Sequence, residues 1–307
     1  MKPAWSVVLF TTLAGSAQGL VVTLALAELA SLPMHTAFLS DTLALAVLLL
    51  LAALVASVFH LGRPERAWRA ATMWRTSWLS REVIVLPAFI GACALWWLAL
   101  RRDWDLPWLP VLALVLAAAL WLCTAMIYAC IRFIQEWAQP LTLLNFVLIG
   151  LSSGMVLACA LAAWRQQRAL LLAAGPIALG LTLASAAARA SALRRNARLQ
   201  PKSTLQSATG IRVPRIVQIA MGMTAGAFNT REFFHGRTPA RMAQVRSFFL
   251  LFGFGLPAAL LAAGLALDAP WPWALALLLQ APGLVAERWY FLAQARHPQN
   301  LYYQTVS

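Results

Sequence analysis

The chain has 307 residues, 62% of them hydrophobic and only 11% charged. Soluble globular chains run near roughly 45–50% apolar and about 25% charged, so an ordinary soluble domain is excluded and a bilayer protein is expected. The formal net charge of +14 would suit nucleic acid. In a chain this apolar, however, Lys and Arg report topology first, because they accumulate in cytoplasmic loops.

A membrane span needs about 20 mostly apolar residues. Eight stretches qualify: Val7–Ala27, Thr42–Phe59, Val83–Leu100, Trp108–Ile131, Leu141–Ala163, Leu170–Ala188, Phe248–Leu267 and Trp271–Phe291. The period-2 alternation of an outer-membrane barrel is missing. The expected fold class is therefore all-α, a polytopic membrane protein with a bundle of about eight transmembrane helices, forming a single membrane domain over residues 1–307.

The first stretch follows Lys2 and runs on to Glu28 without a convincing cleavage motif, so it is expected to be a retained span and not a signal peptide. Gln18 lies near its middle, with Thr11, Thr12 and Ser16 close by. These are either interhelical hydrogen-bonding groups or polar contacts for a ligand. Gly15 and Gly19 form a small-x-x-x-small pair, as Gly150 and Gly154 do in the fifth stretch, and both pairs are expected to serve close helix packing. The second stretch ends at His60. A basic connection over residues 60–81 follows, and its Trp68, Trp74 and Trp78 suit headgroup depth. Glu82 opens the third stretch. Cys93, Cys123, Cys130 and Cys159 all fall in apolar stretches and form no C-x-x-C, so they read as buried thiols and not as ligands of zinc or an iron–sulfur cluster. Asn145 and Tyr128 read as interhelical hydrogen-bonding groups or ligand contacts, and Gln135 and Glu136 as solvated. A second long connection, residues 189–246, is broken by Pro201, Gly210, Pro214, Gly236 and Pro239. Within it, Ile211–Phe228 is moderately apolar, but Arg212, Pro214 and Arg215 weigh against a further span.

With eight spans both termini share one side. Of the 24 Lys and Arg, 20 fall on that side and only Arg101, Arg102, Arg165 and Arg168 on the other. The expectation is a multi-pass protein of the bacterial inner membrane with both termini and both long connections in the cytoplasm. The positive charge then calls for no nucleic acid; it suits anionic lipid or a partner subunit.

Ionisable groups near membrane depth are the first candidates for chemistry. His60 and Glu82 end and open neighbouring stretches at the basic end, with Arg63 and Arg81 beside them. A quinone headgroup presents two carbonyls and takes up two protons on two-electron reduction, and a His and a carboxylate at one interface can serve both needs. The structural alternative pairs Glu82 with a neighbouring Arg at a helix start. The four histidines, His35, His60, His235 and His297, do not sit at matched depth in facing spans, so no haem is expected. A small-solute transporter is the competing class, against which stand the lack of a clear internal repeat and the scarcity of deep ionisable groups. A lipid-modifying enzyme would want a His and Asp/Glu cluster on one face, which is missing.

The stretch His60-Leu61-Gly62-Arg63-Pro64-Glu65-Arg66-Ala67, followed by Ser77-Trp78-Leu79-Ser80-Arg81-Glu82, resembles the membrane-anchor family of dimethyl sulfoxide reductase, which reads H-L-G-x-P-x-R-A and then S-x-L-S-x-E at this spacing. The opening Phe10-Thr11-Thr12-Leu13-Ala14-Gly15 with Gln18-Gly19 agrees. The resemblance implies a complex of three subunits. A molybdopterin catalytic subunit does the substrate chemistry, a four-cluster iron–sulfur subunit passes the electrons on, and the metal-free anchor binds menaquinone or ubiquinone. It implies His60 and Glu82 as quinone-site positions; Arg63, Arg81 and Gln18 are further candidates for the site from their place in the sequence alone. The basic side carrying this motif resembles the branch serving sulfite dehydrogenases that act in the cytoplasm, as do Phe228-Asn229-Thr230-Arg231-Glu232-Phe233-Phe234-His235-Gly236 and Ala295-Arg296-His297-Pro298-Gln299-Asn300-Leu301-Tyr302-Tyr303. The expected function is quinone reduction coupled to cytoplasmic sulfite oxidation; the alternative within the family is quinol oxidation by a dimethyl sulfoxide reductase-type enzyme.

Overall fold

Eight long helices follow one another in the computed structural model, which describes residues 1–59, 62–220, 228–267 and 269–303. They are α1 (Trp5–Leu29), α2 (Thr36–Val58), α3 (Trp78–Arg101), α4 (Leu109–Ala129), α5 (Pro140–Trp164), α6 (Arg168–Ala197), α7 (Pro239–Ala266) and α8 (Trp271–Ala293). No strand occurs among the described residues. Inside a bilayer no water can satisfy a backbone N–H or C=O, so apolar runs of this length close their hydrogen bonds within the segment and become helices. Seven of the eight, α1 to α7, are long and apolar enough to cross a membrane. The last, α8, has span length, but Gln280, Glu287 and Arg288 interrupt its apolar run, and all three are buried.

Two helices outrun their apolar stretches most, by nine residues each. α6 continues beyond Ala188 to Ala197, and α7 begins at Pro239, so the second long connection is helical at both ends. Propensity and neighbours extend a helix past the point where hydropathy falls. Between them, residues 210–220 are non-helical and largely exposed; the remainder of the Ile211–Phe228 stretch, 221–227, lies outside the described residues. α7 contains one wider turn, the π-helical segment Leu251–Gly255, just before Pro257. Proline lacks the N–H for a regular i to i−4 bond, which accounts for a local change of winding there.

α1 is the central helix and packs against α2, α4, α5 and α8. Its crossing with α5 is made by the two glycine pairs facing each other. A Cβ on Gly19 would meet the Gly150 carbonyl, and one on Gly154 would meet the backbone of Gly19 and Leu20. Lipid is as apolar as a leucine side chain, so helices in a bilayer associate through close backbone packing of this kind.

The ends of the chain meet. The Met1 ammonium donates to Ala293 O (3.0 Å) and Ala295 O (2.8 Å), at the end of α8. The start of α1 and the end of α8 therefore lie at the same end of the bundle, where both long connections also emerge; we call it the basic end. The two segments singled out in the C-terminal half join there. Asn229 donates to the Tyr303 hydroxyl, Asn300 Nδ2 donates to Phe233 O, and the His297 ring stacks on Phe233 at 3.8 Å. Glu136, expected to be solvated, is buried in this junction and accepts from the Arg296 N–H. The turns after α4 tuck it under the chain ends. α4 itself stops at Ala129, so Cys130 caps it and is exposed, unlike the buried Cys93, Cys123 and Cys159.

Candidate functional site

The S-x-L-S-x-E motif has a local structural reason. Ser77 is the N-cap of α3, and its hydroxyl accepts from the Ser80 N–H, which fixes where the helix starts. Glu82 then falls in the second turn, about 6 Å inside the helix at 1.5 Å per residue. It is only 6% exposed. Its Oε1 accepts a hydrogen bond from the Thr124 hydroxyl of α4, and no Lys or Arg forms an ion pair with it among the described residues.

Arg81 points elsewhere. Its guanidinium donates to Trp74 O (2.9 Å) and Arg75 O (2.8 Å) and lies over the Trp78 ring at 4.2 Å, so it closes the preceding turn. Arg63 is exposed at the N-cap of a 3-10 helix, Pro64–Ala71. His60 lies outside the described residues. Gln18 is buried in α1, and its amide donates to Ala117 O of α4 (3.0 Å), an interhelical packing role. Asn145 instead donates to Leu141 O of its own helix.

Gln18 and Thr124 nevertheless line one cleft. It lies between α1, α4, α5 and α8 and encloses about 380 Å³ including its open mouth. Its interior is tight, with room for about one water. α1 contributes Thr11, Thr12, Ser16 and Gln18; α4 contributes Trp121 and Thr124; α5 contributes Phe146, Gly150 and Ser153; α8 contributes Leu284 and Arg288. The hydroxyl protons of this wall are nearly all committed. Thr11 and Thr12 donate to carbonyls of their own helix, Ser16 to Ser153, Ser153 to Gly150 O, and Thr124 to Glu82.

Sequence reasoning passes over the group on α8. Glu287 is 1% exposed and lies between two arginines: Arg189 Nε is 2.6 Å from its Oε1 and Arg288 Nε is 3.5 Å from its Oε2. By sequence both arginines count as loop charge at the basic end. They are instead buried, Arg189 at 2% and Arg288 at 4% exposure, because α6 continues as a helix and α8 packs against α5, α7 and α1. Arg288 also lies over the Phe146 ring at 4.0 Å. The available signal was a carboxylate inside the eighth apolar stretch.

A bundle of long apolar helices with most of its basic residues at one end defines an integral membrane protein. The chain belongs to the DMSO reductase anchor subunit family (DmsC), whose profile matches residues 1–223. It is also 44% identical to a sulfite dehydrogenase subunit from Allochromatium vinosum, over 326 aligned positions that cover all of both chains.

Proposed function

We propose that this chain is the quinone-reactive membrane anchor of an oxidoreductase complex. It would receive electrons from an iron–sulfur subunit and pass them to menaquinone or ubiquinone, while a molybdopterin subunit oxidises sulfite on the cytoplasmic side of the inner membrane. The relative's name supports the sulfite assignment, and the distribution of basic residues supports the cytoplasmic placement.

One observation carries the quinone assignment: Glu82 is a buried carboxylate without a cationic partner among the described residues, hydrogen-bonded through Thr124 to the wall of a cleft. A carboxylate kept only to hold a helix start would pair with the neighbouring arginines, and Arg81 is spent on loop carbonyls. Reduction of a quinone adds two electrons and two protons, one proton to each carbonyl oxygen. Thr124 stands between Glu82 and the cleft, so its hydroxyl can relay a proton between the carboxyl group and a ligand oxygen. The walls must part to admit a ring, since the cleft at rest holds little more than a water.

The test is Glu82→Gln in the purified complex. The expected result is normal assembly, normal sulfite oxidation with an artificial electron acceptor, and a loss of quinone turnover of about 10²-fold or more, the usual contribution of a positioned proton donor. Normal quinone turnover in Glu82→Gln would remove the proton role.

A further inference from the structure

We infer that Arg288 and the indole N–H of Trp121 are the donors that bind a quinone carbonyl oxygen in the cleft; the inference rests on the quinone reading above and names the residues that hold the ligand. Two independent observations lead there.

The first is a donor count. The cleft hydroxyls that line the wall donate to protein atoms, and the Gln18 amide donates to Ala117 O. Among the described residues Trp121 Nε1 is buried with no hydrogen-bond partner, and Arg288, 4% exposed, has only its 3.5 Å ion pair with Glu287 and no hydrogen bond. Buried donors are normally satisfied, and these two line one cleft. A carbonyl oxygen, which accepts and does not donate, fits that wall.

The second is a charge count. Glu287 is neutralised by Arg189 at 2.6 Å, so the cluster needs one arginine and contains two. Arg288 is the surplus cation. A guanidinium stays charged in proteins, and burying a charge without a full counter-charge is costly. The Phe146 ring face at 4.0 Å offsets part of that cost. An electron-rich oxygen in the cleft would offset the remainder. Arg288 and Thr124 each lie about 7.5 Å, five residues, from the basic end of their helices, so the donor and the Glu82 relay share one depth. α8 lies outside residues 1–223, which the family profile matches.

The experiment uses the intact purified complex in detergent, with ubiquinone-1 as the probe, and compares R288Q, R288K and W121F with the parent. The readouts are assembly, thermal midpoint without ligand, the rise in midpoint on adding ubiquinone-1, and KM for ubiquinone-1. R288Q removes the surplus cation and leaves the Arg189–Glu287 pair. It is expected to assemble with an unliganded midpoint equal to or above the parent's, to lose the ubiquinone-1-induced rise, and to raise KM at least tenfold. R288K is expected to retain part of the rise, and W121F to raise KM about threefold to tenfold with assembly unchanged. A lower unliganded midpoint in R288Q with the ubiquinone-1 rise intact would make Arg288 a structural residue and overturn the inference. Unchanged rise and KM in both R288K and W121F would overturn it even if R288Q failed to assemble. If the parent complex itself showed neither a rise nor turnover with ubiquinone-1, the quinone reading would fall first.

Discussion

At the scale of single residues, Thr124 decides how Glu82 can act. Glu82 does not itself line the cleft; Thr124 does, and its hydroxyl donates to the carboxylate. Thr124→Val keeps the volume and removes the hydroxyl, whereas Thr124→Ser keeps the hydroxyl and removes a methyl group. We expect Thr124→Val to lower quinone turnover at least tenfold and Thr124→Ser to hold it within about threefold, on the usual scale of general acid–base contributions. Equal rates in the two variants, measured in steady state with ubiquinone-1, would show that the relay does not run through this hydroxyl. Glu82 was legible from its place in the motif. Its partner was not, because a threonine in the apolar run Leu109–Ala129 reads equally well as a residue bonded to its own helix.

At the scale of helices, the α1–α5 crossing depends on having no side chain at Gly19, Gly150 and Gly154. Gly154→Ala forces the two backbones apart, and overpacking of this kind costs about 1–3 kcal/mol. Gly91 of α3 has nothing within 4 Å of a would-be Cβ, so Gly91→Ala should be neutral or slightly stabilising. Detergent-resistant thermal midpoints of the two variants check this, and equal midpoints would refute it. The junction of the chain ends makes a second demand. Burial lowers the Met1 ammonium from 8.0 to about 6, with the charge of Glu136 opposing, and burial followed by the Met1 charge lowers both His235 and His297 from 6.5. A base whose folded pKa lies below its unfolded value stabilises nothing by protonating, and the unfolded form binds the proton first. The junction is therefore firmest above about pH 8 and loosens as the pH falls through 8 toward 6 and below. Hydrogen exchange of residues 228–233 and 295–303 should quicken, relative to the intrinsic rate, between pH 8 and 5.5. His297→Gln, which keeps a side chain able to lie on Phe233 but cannot titrate, should flatten part of that change.

At the scale of the molecule, α8 decides the topology. Seven apolar helices alone would place the termini on opposite sides. The hydrogen bonds from Met1 to Ala293 O and Ala295 O put both ends together, which requires α8 to return across the membrane. Reporter fusions after Lys2 and at residue 303 should both read cytoplasmic, with a fusion in the Arg101–Asp105 loop reading on the opposite side. A split result for the two ends would refute the eight-crossing arrangement, and an inverted result for all three would remove the cytoplasmic sulfite reading.

Composition and hydropathy by themselves determined the class of fold and the approximate positions of the helices, because in a bilayer an apolar run of sufficient length has no other way to satisfy its backbone. The motif around Glu82 determined the family, and the facing glycine pairs were legible because a helix contact without a hydrophobic driving force needs small residues. Only the tertiary structure decided which charges are inside. Arg189 and Arg288 stand near the ends of apolar runs, where an arginine can equally snorkel to the surface or turn inward. What turned them inward is Glu287 and the packing of α8 against α5, α7 and α1. The Arg189–Glu287 contact joins residues 98 positions apart in the chain, and no local pattern of hydropathy or spacing carries that information.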